Sequence, residues 1–238
     1  MNDRALFQFK PMYKIIKLDY ARNSFRYLIK ELGIKEVRIP YYLCDVMRHA
    51  AFAENCKPLF YHIDDNFMPA EEFNKDDYIL YPNYFGVFDE NVKKLADTYP
   101  RLIVDNAHAA YSMPEGLACF NSIRKFIPDK MESYLYIKTS EILHKTPDEN
   151  KTIDKERINR FRVFDNKYRS INLLKFNLDK IKSPFCYPCL TATDDEADRL
   201  AEILEKEGKT IYRYWGELPK TFNEYKFYRC LVPIPLCY

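Results

Sequence analysis

Short apolar runs alternate with amphipathic segments through the first two-thirds of this chain. Four apolar side chains between Phe25 and Leu32 follow the i, i+3, i+4, i+7 spacing of one helical face, and Gly33 comes next, which predicts a helix over residues 21–32. The short runs between such segments are almost wholly apolar, as buried parallel strands are. The pattern therefore predicts an α/β domain with further helices over 45–53 and 89–96, and strands over 37–39, 59–63, 78–81, 102–104 and 134–137.

The pattern changes after about residue 138. Residues 145–160 are highly charged and contain Pro147, which predicts a surface connection. Further on, the stretch from Thr193 to Glu196 forms a capping box for a helix that ends at Gly208, and the apolar runs 185–190 and 211–215 predict strands beside it. We therefore expect two units. Residues 1–148 form a large cofactor-binding α/β domain, and residues 149–238 form a connecting helical segment and a small α+β domain.

Composition excludes several classes of protein. The chain has 238 residues, of which 47% are hydrophobic and 30% charged, as in folded globular proteins. It carries 37 basic and 35 acidic residues, so its net charge of +2 gives no field that would attract nucleic acid or a membrane surface. No apolar run approaches the roughly 18 residues that span a bilayer, and the first residues lack the apolar core of a signal peptide. We expect a cytoplasmic protein.

The seven cysteines do not form the even, regularly spaced set of a disulfide framework. Cys186 and Cys189 make the one tight pair. A zinc site would need two more ligands, and only Cys230 and Cys237 lie near them in the sequence. Because the usual second Cys-x-x-Cys is missing, the pattern favours thiols packed as small apolar groups and no bound metal.

Two stretches place polar side chains where parallel sheets bind ligands. Arg22 and Asn23 open the first predicted helix, whose free N–H groups suit a phosphate. Asp105 ends an apolar strand, at the carboxyl edge where α/β sheets bind ligands, and His108 follows three residues later. Each stretch alone also fits a structural interpretation, the first as a plain helix start and the second as a packed histidine.

A third stretch combines a hydroxyl with two cations among aromatic residues. Ser122, Arg124 and Lys125 would suit an anionic cofactor, and a lysine in apolar surroundings has a lowered pKa that makes its amine a nucleophile toward an aldehyde. The five glycines of the chain form no glycine-rich phosphate loop, so any phosphate site must be built from such side chains and helix ends. A solvated basic turn is the structural alternative for this stretch.

Taken in order, five segments resemble the DegT–StrS family of nucleotide-sugar aminotransferases, which are enzymes of pyridoxal 5'-phosphate (PLP) fold type I. The resemblance also extends to a branch with a Ser-x-Arg-Lys-Phe-Phe signature found in surface-polysaccharide gene sets. It covers residues 16–137 well and residues 183–238 more weakly. The segments are 39–45 (IPYYLCD), 60–64 (FYHID), 81–86 (YPNYFG), 104–109 (VDNAHA) and 122–126 (SIRKF).

The resemblance implies a fold type I large domain with a mainly parallel central sheet flanked by helices, and it implies roles for single residues. Lys125 matches the lysine that bonds the cofactor and later moves a proton, and Asp105 matches the acid that pairs with the ring nitrogen. The remaining cofactor-binding positions are His108 against the ring's 3-oxygen, Cys44 near the ring face, and Arg22, Asn23 and Ser122 toward the phosphate. Arg124 is a further cofactor-binding residue.

The resemblance implies a PLP-dependent aminotransferase that acts on a nucleotide-linked keto sugar in surface-polysaccharide biosynthesis, with glutamate as amino donor and a homodimer as the assembly. One departure leaves an alternative open. Relatives carry a glycine-rich turn after the lysine, whereas residues 128–133 contain no glycine. If the turn needs a positive φ or a close backbone approach, side chains there obstruct the site. Lys130 in this turn is a second candidate for the cofactor lysine. The alternative is a degenerate, non-catalytic relative that binds PLP or a nucleotide sugar, or acts as a partner in glycan assembly.

Overall fold

The computed structural model describes residues 12–139 and 155–236, and its first part is built around one sheet. The predicted helices and strands of this part are all present, and two strands were not predicted, the first and the sixth. In chain order the elements are β1 (Met12–Leu18), α1 (Ala21–Leu32), β2 (Glu36–Pro40), α2 (Asp45–Ala53), β3 (Lys57–Tyr61), β4 (Ile79–Pro82), α3 (Asp89–Thr98), β5 (Leu102–Asn106), β6 (Ala118–Asn121) and β7 (Ser133–Thr139).

The seven strands form a sheet in the order β1-β7-β6-β5-β4-β2-β3. The strands from β2 to β6 pair in parallel, and β7 is antiparallel to both of its neighbours. This confirms the predicted fold class, an α/β domain with a mainly parallel sheet. The strand order reverses between β2 and β4, and a crevice for ligands opens outside the carboxyl ends of parallel strands at such a switch point.

Alternate side chains of the central strands enter two different cores. In β5, Ile103 packs with helices α1 and α2 on one face, whereas Leu102 and Val104 pack into the core on the other face. By this alternation Asp105 is directed toward the face that α1 and α2 cover. The sheet therefore brings the carboxylate and the start of α1 to the same side.

The elements of the C-terminal part pack onto the core on the other face of the sheet, away from α1 and α2. They are α4 (Lys155–Tyr168), β8 (Cys186–Leu190), α5 (Asp194–Lys206), α6 (Tyr225–Cys230) and β9 (Leu231–Pro235). Thr193 caps α5 as predicted, because its hydroxyl accepts a hydrogen bond from the Glu196 N–H. Phe161 of α4 and Tyr187 of β8 belong to the same buried cluster as Tyr81 of the large sheet. The division into two units at residue 148 stays a prediction.

Two predictions for this part are wrong. Residues 211–215 form no strand, since β8 pairs in antiparallel fashion with β9 instead. The predicted surface connection over 145–160 ends early, because residues 155–160 are the first turns of α4 and Arg157 among them is buried. The rest of that connection lies outside the described residues. Within the described ranges, no helix has both the length and the apolar character required to cross a bilayer.

Candidate functional site

A cavity of about 140 Å³ opens at the predicted crevice, and we call it the lysine cavity. Its walls come from the start of α1, the segment between β2 and α2, the ends of β4 and β5, and the turn after β6. Seven of the eight predicted site residues lie on it. The lining residues are Tyr20, Ala21, Arg22, Leu43, Cys44, Val46, Met47, Pro82, Asn83, Asp105, Ala107, His108, Ser122, Arg124, Lys125 and Trp215.

Asn23 is the predicted residue that does not line the cavity. Its side-chain amide instead donates a hydrogen bond to Asp19 Oδ1 at 2.7 Å, at the surface. The structure therefore does not bring the Asn23 side chain to the cavity, and its role toward the phosphate stays a prediction. The reason is local: a carboxylate four residues earlier offers the amide a partner that the bare helix start does not.

Two arginines lie near one aromatic ring at the start of α1. The guanidinium carbons of Arg22 and Arg124 lie 4.5 Å and 5.8 Å from the centre of the Tyr20 ring. Neither arginine has a carboxylate partner within 4 Å among residues 12–139 and 155–236. Ser122, which is buried, lies on the same cavity. Cations, a hydroxyl and the free N–H groups of a helix start together form a site that suits a phosphate.

Asp105 is a buried acid without a full counter-charge. It is 5% exposed, and its Oδ1 accepts a hydrogen bond from the Ala107 N–H at 2.8 Å. Burial raises its pKa from 3.8 to about 6, although the charge of Lys125 and that hydrogen bond pull the other way. A carboxylate in this condition is stabilised by any cation that enters the cavity beside it.

Lys125 lies at the end of a short 3₁₀ turn, Ile123–Lys125, and is half-buried. Its Nζ is 5.9 Å from the centre of the Phe185 ring. Burial lowers its pKa, and this effect outweighs the opposite influence of Asp105 and Cys44. A larger share of the amine is therefore uncharged near neutral pH, which is the form that attacks an aldehyde carbon.

His108 is held as a neutral ring within a stack of aromatic side chains. Its ring lies nearly parallel to that of Phe185, 4.4 Å between centres, and to that of Trp215, 5.7 Å between centres. Burial and the nearby Lys125 charge lower its pKa well below the usual value. A neutral imidazole offers one donor and one acceptor to a ligand in the cavity.

Trp215 and Tyr20 line the site although the sequence does not single them out. The apolar neighbours of residue 215 predict a strand there. It instead lies in an irregular segment with φ +56°, in the left-handed region. The sequence does carry one signal against a strand. Trp215, the only tryptophan of the chain, precedes Gly216 and comes shortly before Pro219, and glycine and proline mark turns and loops.

The turn after Lys125 does not obstruct the cavity. Residues 128–131 are exposed, and none of residues 128–133 lines the cavity or has a positive φ. The condition for an obstructed site, a turn that needs a positive φ, is therefore not met by residues 128–133. Lys130, the second candidate lysine, is exposed with this turn and lies outside the cavity.

The cysteines form no metal site in the described part of the chain. Cys186 and Cys189 are buried free thiols on β8, and their odd spacing places them on opposite faces of that strand. Cys230 is a free thiol, and Cys237 lies outside the described residues. Within residues 12–139 and 155–236, no three metal-binding side chains come together.

Solved structures share this fold over most of their length. A DegT DnrJ EryC1 StrS aminotransferase from Brucella abortus has a TM-score of 0.69 at 11% identity. PseC of Helicobacter pylori, an aminotransferase involved in the biosynthesis of pseudoaminic acid, has a TM-score of 0.68 at 15% identity. Spr1654 of Streptococcus pneumoniae, in its PMP form, has a TM-score of 0.68 at 13% identity. Each superposition covers 94% of this chain and 81% of the other.

These likenesses confirm the fold type I-like architecture that the sequence resemblance implied. At 11–15% identity they show the fold alone. No protein-family model matches the sequence, and the search of curated proteins found no relative.

Proposed function

We propose that this protein is a PLP-dependent aminotransferase whose cofactor lysine is Lys125. The observation that carries the proposal is the meeting of Lys125, Asp105 and the paired arginines Arg22 and Arg124 on one cavity. The aldehyde of PLP requires an amine, its ring nitrogen requires an acid, and its phosphate requires a phosphate-binding group. Both the Brucella abortus and the Helicobacter pylori proteins that share the fold are aminotransferases.

The residues of the cavity fit this cofactor. Arg22, Arg124, Ser122 and the start of α1 would hold the phosphate, and Asp105 would pair with the ring nitrogen. The buried Asp105 carboxylate supports the fit: burial raises its pKa, and a protonated ring nitrogen beside it would offset that cost. When bound, PLP supplies an electron sink that stabilises negative charge on the carbon next to the reacting nitrogen.

The chain's own groups then have defined tasks. The Lys125 Nζ, whose pKa burial lowers, would take and return the proton. Asp105 keeps a negative charge at the buried end of the cavity. His108 is fixed in its ring stack, so it positions one hydrogen bond without gaining charge. Cys44 lines the cavity at the start of α2 and would pack near the ring face.

The covalent role of Lys125 can be tested by absorbance. The purified chain with PLP should be yellow, and borohydride should bleach the colour and fix the cofactor to residue 125, which peptide mass analysis detects. Lys125→Ala should lose both the colour and the adduct. Lys130→Ala is the matched control, because that lysine is exposed on the same turn, and it should keep both. A colourless wild type, or an adduct on Lys130, would contradict the proposal.

The finer assignment is an acceptor that is a nucleotide-linked keto sugar of surface-polysaccharide biosynthesis, with glutamate as amino donor. Support comes from the sequence resemblance and from PseC, an aminotransferase of pseudoaminic acid biosynthesis. The same resemblance supports a homodimer, which light scattering on the purified chain would test. Loss of the yellow colour on adding glutamate, and its return on adding a keto sugar nucleotide, would support the assignment.

The alternative of a non-catalytic, cofactor-binding relative has one observation in its favour. The lysine cavity measures about 140 Å³, whereas ligand pockets in proteins usually measure roughly 300 Å³ or more. A yellow protein whose spectrum responds to no amino donor would favour this alternative.

A further inference from the structure

Glu224 is a fully buried acid of the C-terminal part, and it contacts the large sheet. It stands at the start of α6, but its Oε1 accepts a hydrogen bond from the Ile63 N–H at 2.8 Å, just after β3. The same oxygen lies 3.0 Å from His62 Nδ1. Because a buried carboxylate is costly unless hydrogen bonds satisfy it, these two contacts fix the start of α6 on the end of β3.

A neighbouring contact between the same two segments is much more exposed. Lys226 forms an ion pair with Asp65, and the two side chains are 39% and 74% exposed. Ion pairs between exposed side chains add little to stability, whereas breaking the contacts of a buried carboxylate is strongly destabilising. We therefore take Glu224 as the residue that decides where α6 begins.

Helix α6 in turn contacts the chain on both sides of Trp215. A Cβ at Gly216 would lie 2.4 Å from the Tyr228 ring, so the backbone after Trp215 packs directly on α6. Before it, the Arg213 guanidinium donates a hydrogen bond to the carbonyl oxygen of Arg229. A displacement of α6 must therefore displace the residue between these two contacts.

A path of packed rings joins the same helix to the lysine cavity. The Phe227 ring of α6 lies 5.5 Å from the ring of Tyr42, and both are buried. The Trp215 ring meets Tyr42 edge-on at 4.7 Å and lies nearly parallel to His108 on the lysine cavity. Protein interiors are close-packed, so a shift of one ring in such a path is passed to the next.

We propose that Glu224 is a positioning residue for the lysine cavity, where it holds Trp215 against His108 by fixing α6 on the end of β3. Glu224 itself lies outside the cavity and would touch neither the cofactor nor the reacting atoms. A wall residue held in place keeps the site in its binding geometry, and small displacements there weaken binding and catalysis. The inference rests on the proposed function, since the ligand that this wall serves is PLP.

The fluorescence of the single tryptophan tests this role directly, because it reports the position of Trp215. In the full chain without added PLP, Glu224→Ala should move the emission to longer wavelength, since the released ring becomes more exposed to water. PLP, titrated by visible absorbance, should bind this variant about tenfold more weakly than the wild type. Glu224→Gln keeps an oxygen acceptor for the Ile63 N–H and should restore both readouts.

His62→Phe tests the same contact without emptying a buried position, since the His62 side chain is 47% exposed. The new ring can keep the packing on Tyr41 and Phe222 but loses the Nδ1 contact with Glu224. We expect a smaller shift of the emission in the same direction and about threefold weaker PLP binding. Leu95→Ala is the control for general destabilisation, because this buried residue of α3 lies outside the lysine cavity. It should lower stability and leave both readouts unchanged.

Wild-type emission in a folded Glu224→Ala would overturn the inference, and if that variant does not fold, wild-type emission in His62→Phe would do so. An equal shift in Leu95→Ala, or a Glu224→Gln variant that behaves like Glu224→Ala, would also overturn it. Failure of the proposed function gives a different result, because the emission is measured before PLP is added. A colourless wild type contradicts the proposed function, whereas a yellow wild type with unshifted variants contradicts only the role of Glu224.

Discussion

At the scale of single residues, Asp105 should make stability depend on pH in the ligand-free protein. Its pKa of about 6 in the folded protein lies above the ordinary 3.8, so protonated Asp105 favours the folded state. This contribution to stability is complete below pH 3.8 and is lost as the pH rises through 6. Asp105→Asn removes this loss and keeps the Oδ1 acceptor for Ala107. We expect the variant to gain up to about 3 kcal/mol over the wild type between pH 4 and pH 7, measured by urea unfolding.

The control for this prediction is Asp129→Asn, an exposed acid, which should leave the difference from wild type flat with pH. PLP should bind the wild type more tightly than Asp105→Asn, because the positive charge of the ring nitrogen favours ionised Asp105. With PLP bound, the wild type should therefore become the more stable of the two proteins. Equal pH profiles for wild type and Asp105→Asn would show that Asp105 is not the uncompensated acid described above.

At the scale of elements, the sequence predicts a helix or strand correctly where its local signals agree with the tertiary packing. The bounds of α2 and the cap of α5 follow from apolar spacing and from Thr193 with Glu196. Strand β1 is not predicted from the sequence because lysines interrupt its apolar residues. Such a pattern suits an edge strand that is half-exposed. The segment 211–215 has a strand-like composition but no strand. Trp215 takes a positive φ there, and its ring packs edge-on against Tyr42, a contact set by tertiary structure.

The turn after β4 should require a glycine at position 86 to keep the segment that carries His108 in place. Its φ is +70°, and a Cβ at this position would lie 2.1 Å from Ser183 O and 2.2 Å from His108 O. Both contacts are with backbone, so Gly86→Ala must move the segment that carries His108. We expect a loss of roughly 4 kcal/mol or more in the free energy of unfolding, together with weaker PLP binding.

Gly33→Ala is the matched control, since Gly33 has a similar φ of +62° with nothing within 4 Å of the added Cβ. It should cost only about 1–2 kcal/mol, which is the penalty of the left-handed conformation. Similar losses in the two variants would show that the close approach of the two backbones around Gly86 has little energetic weight.

At the scale of the whole molecule, the sequence indicated which residues share the site but not how they meet. The strand order at the β2–β4 switch brings Cys44, Asp105 and Lys125 to one edge from positions as many as 81 residues apart. Motif order predicted this convergence. It did not predict that Asn23 bonds to Asp19, or that residues 128–131 are exposed outside the cavity, because both depend on tertiary structure.

The proposed phosphate site joins distant parts of the chain, so its occupation should stabilise the whole fold. Arg22 begins α1, whereas Arg124 follows β6, and an anion held between them links the two elements. A ligand at 100 times its dissociation constant adds about 2.7 kcal/mol to stability. We expect PLP to raise the melting temperature of Lys125→Ala, which cannot bond it covalently, and pyridoxal without the phosphate to do so far less. Adding Arg124→Ala to that variant should abolish most of the PLP effect, whereas adding Lys130→Ala should preserve it. Equal stabilisation by PLP and pyridoxal would place the phosphate outside this site.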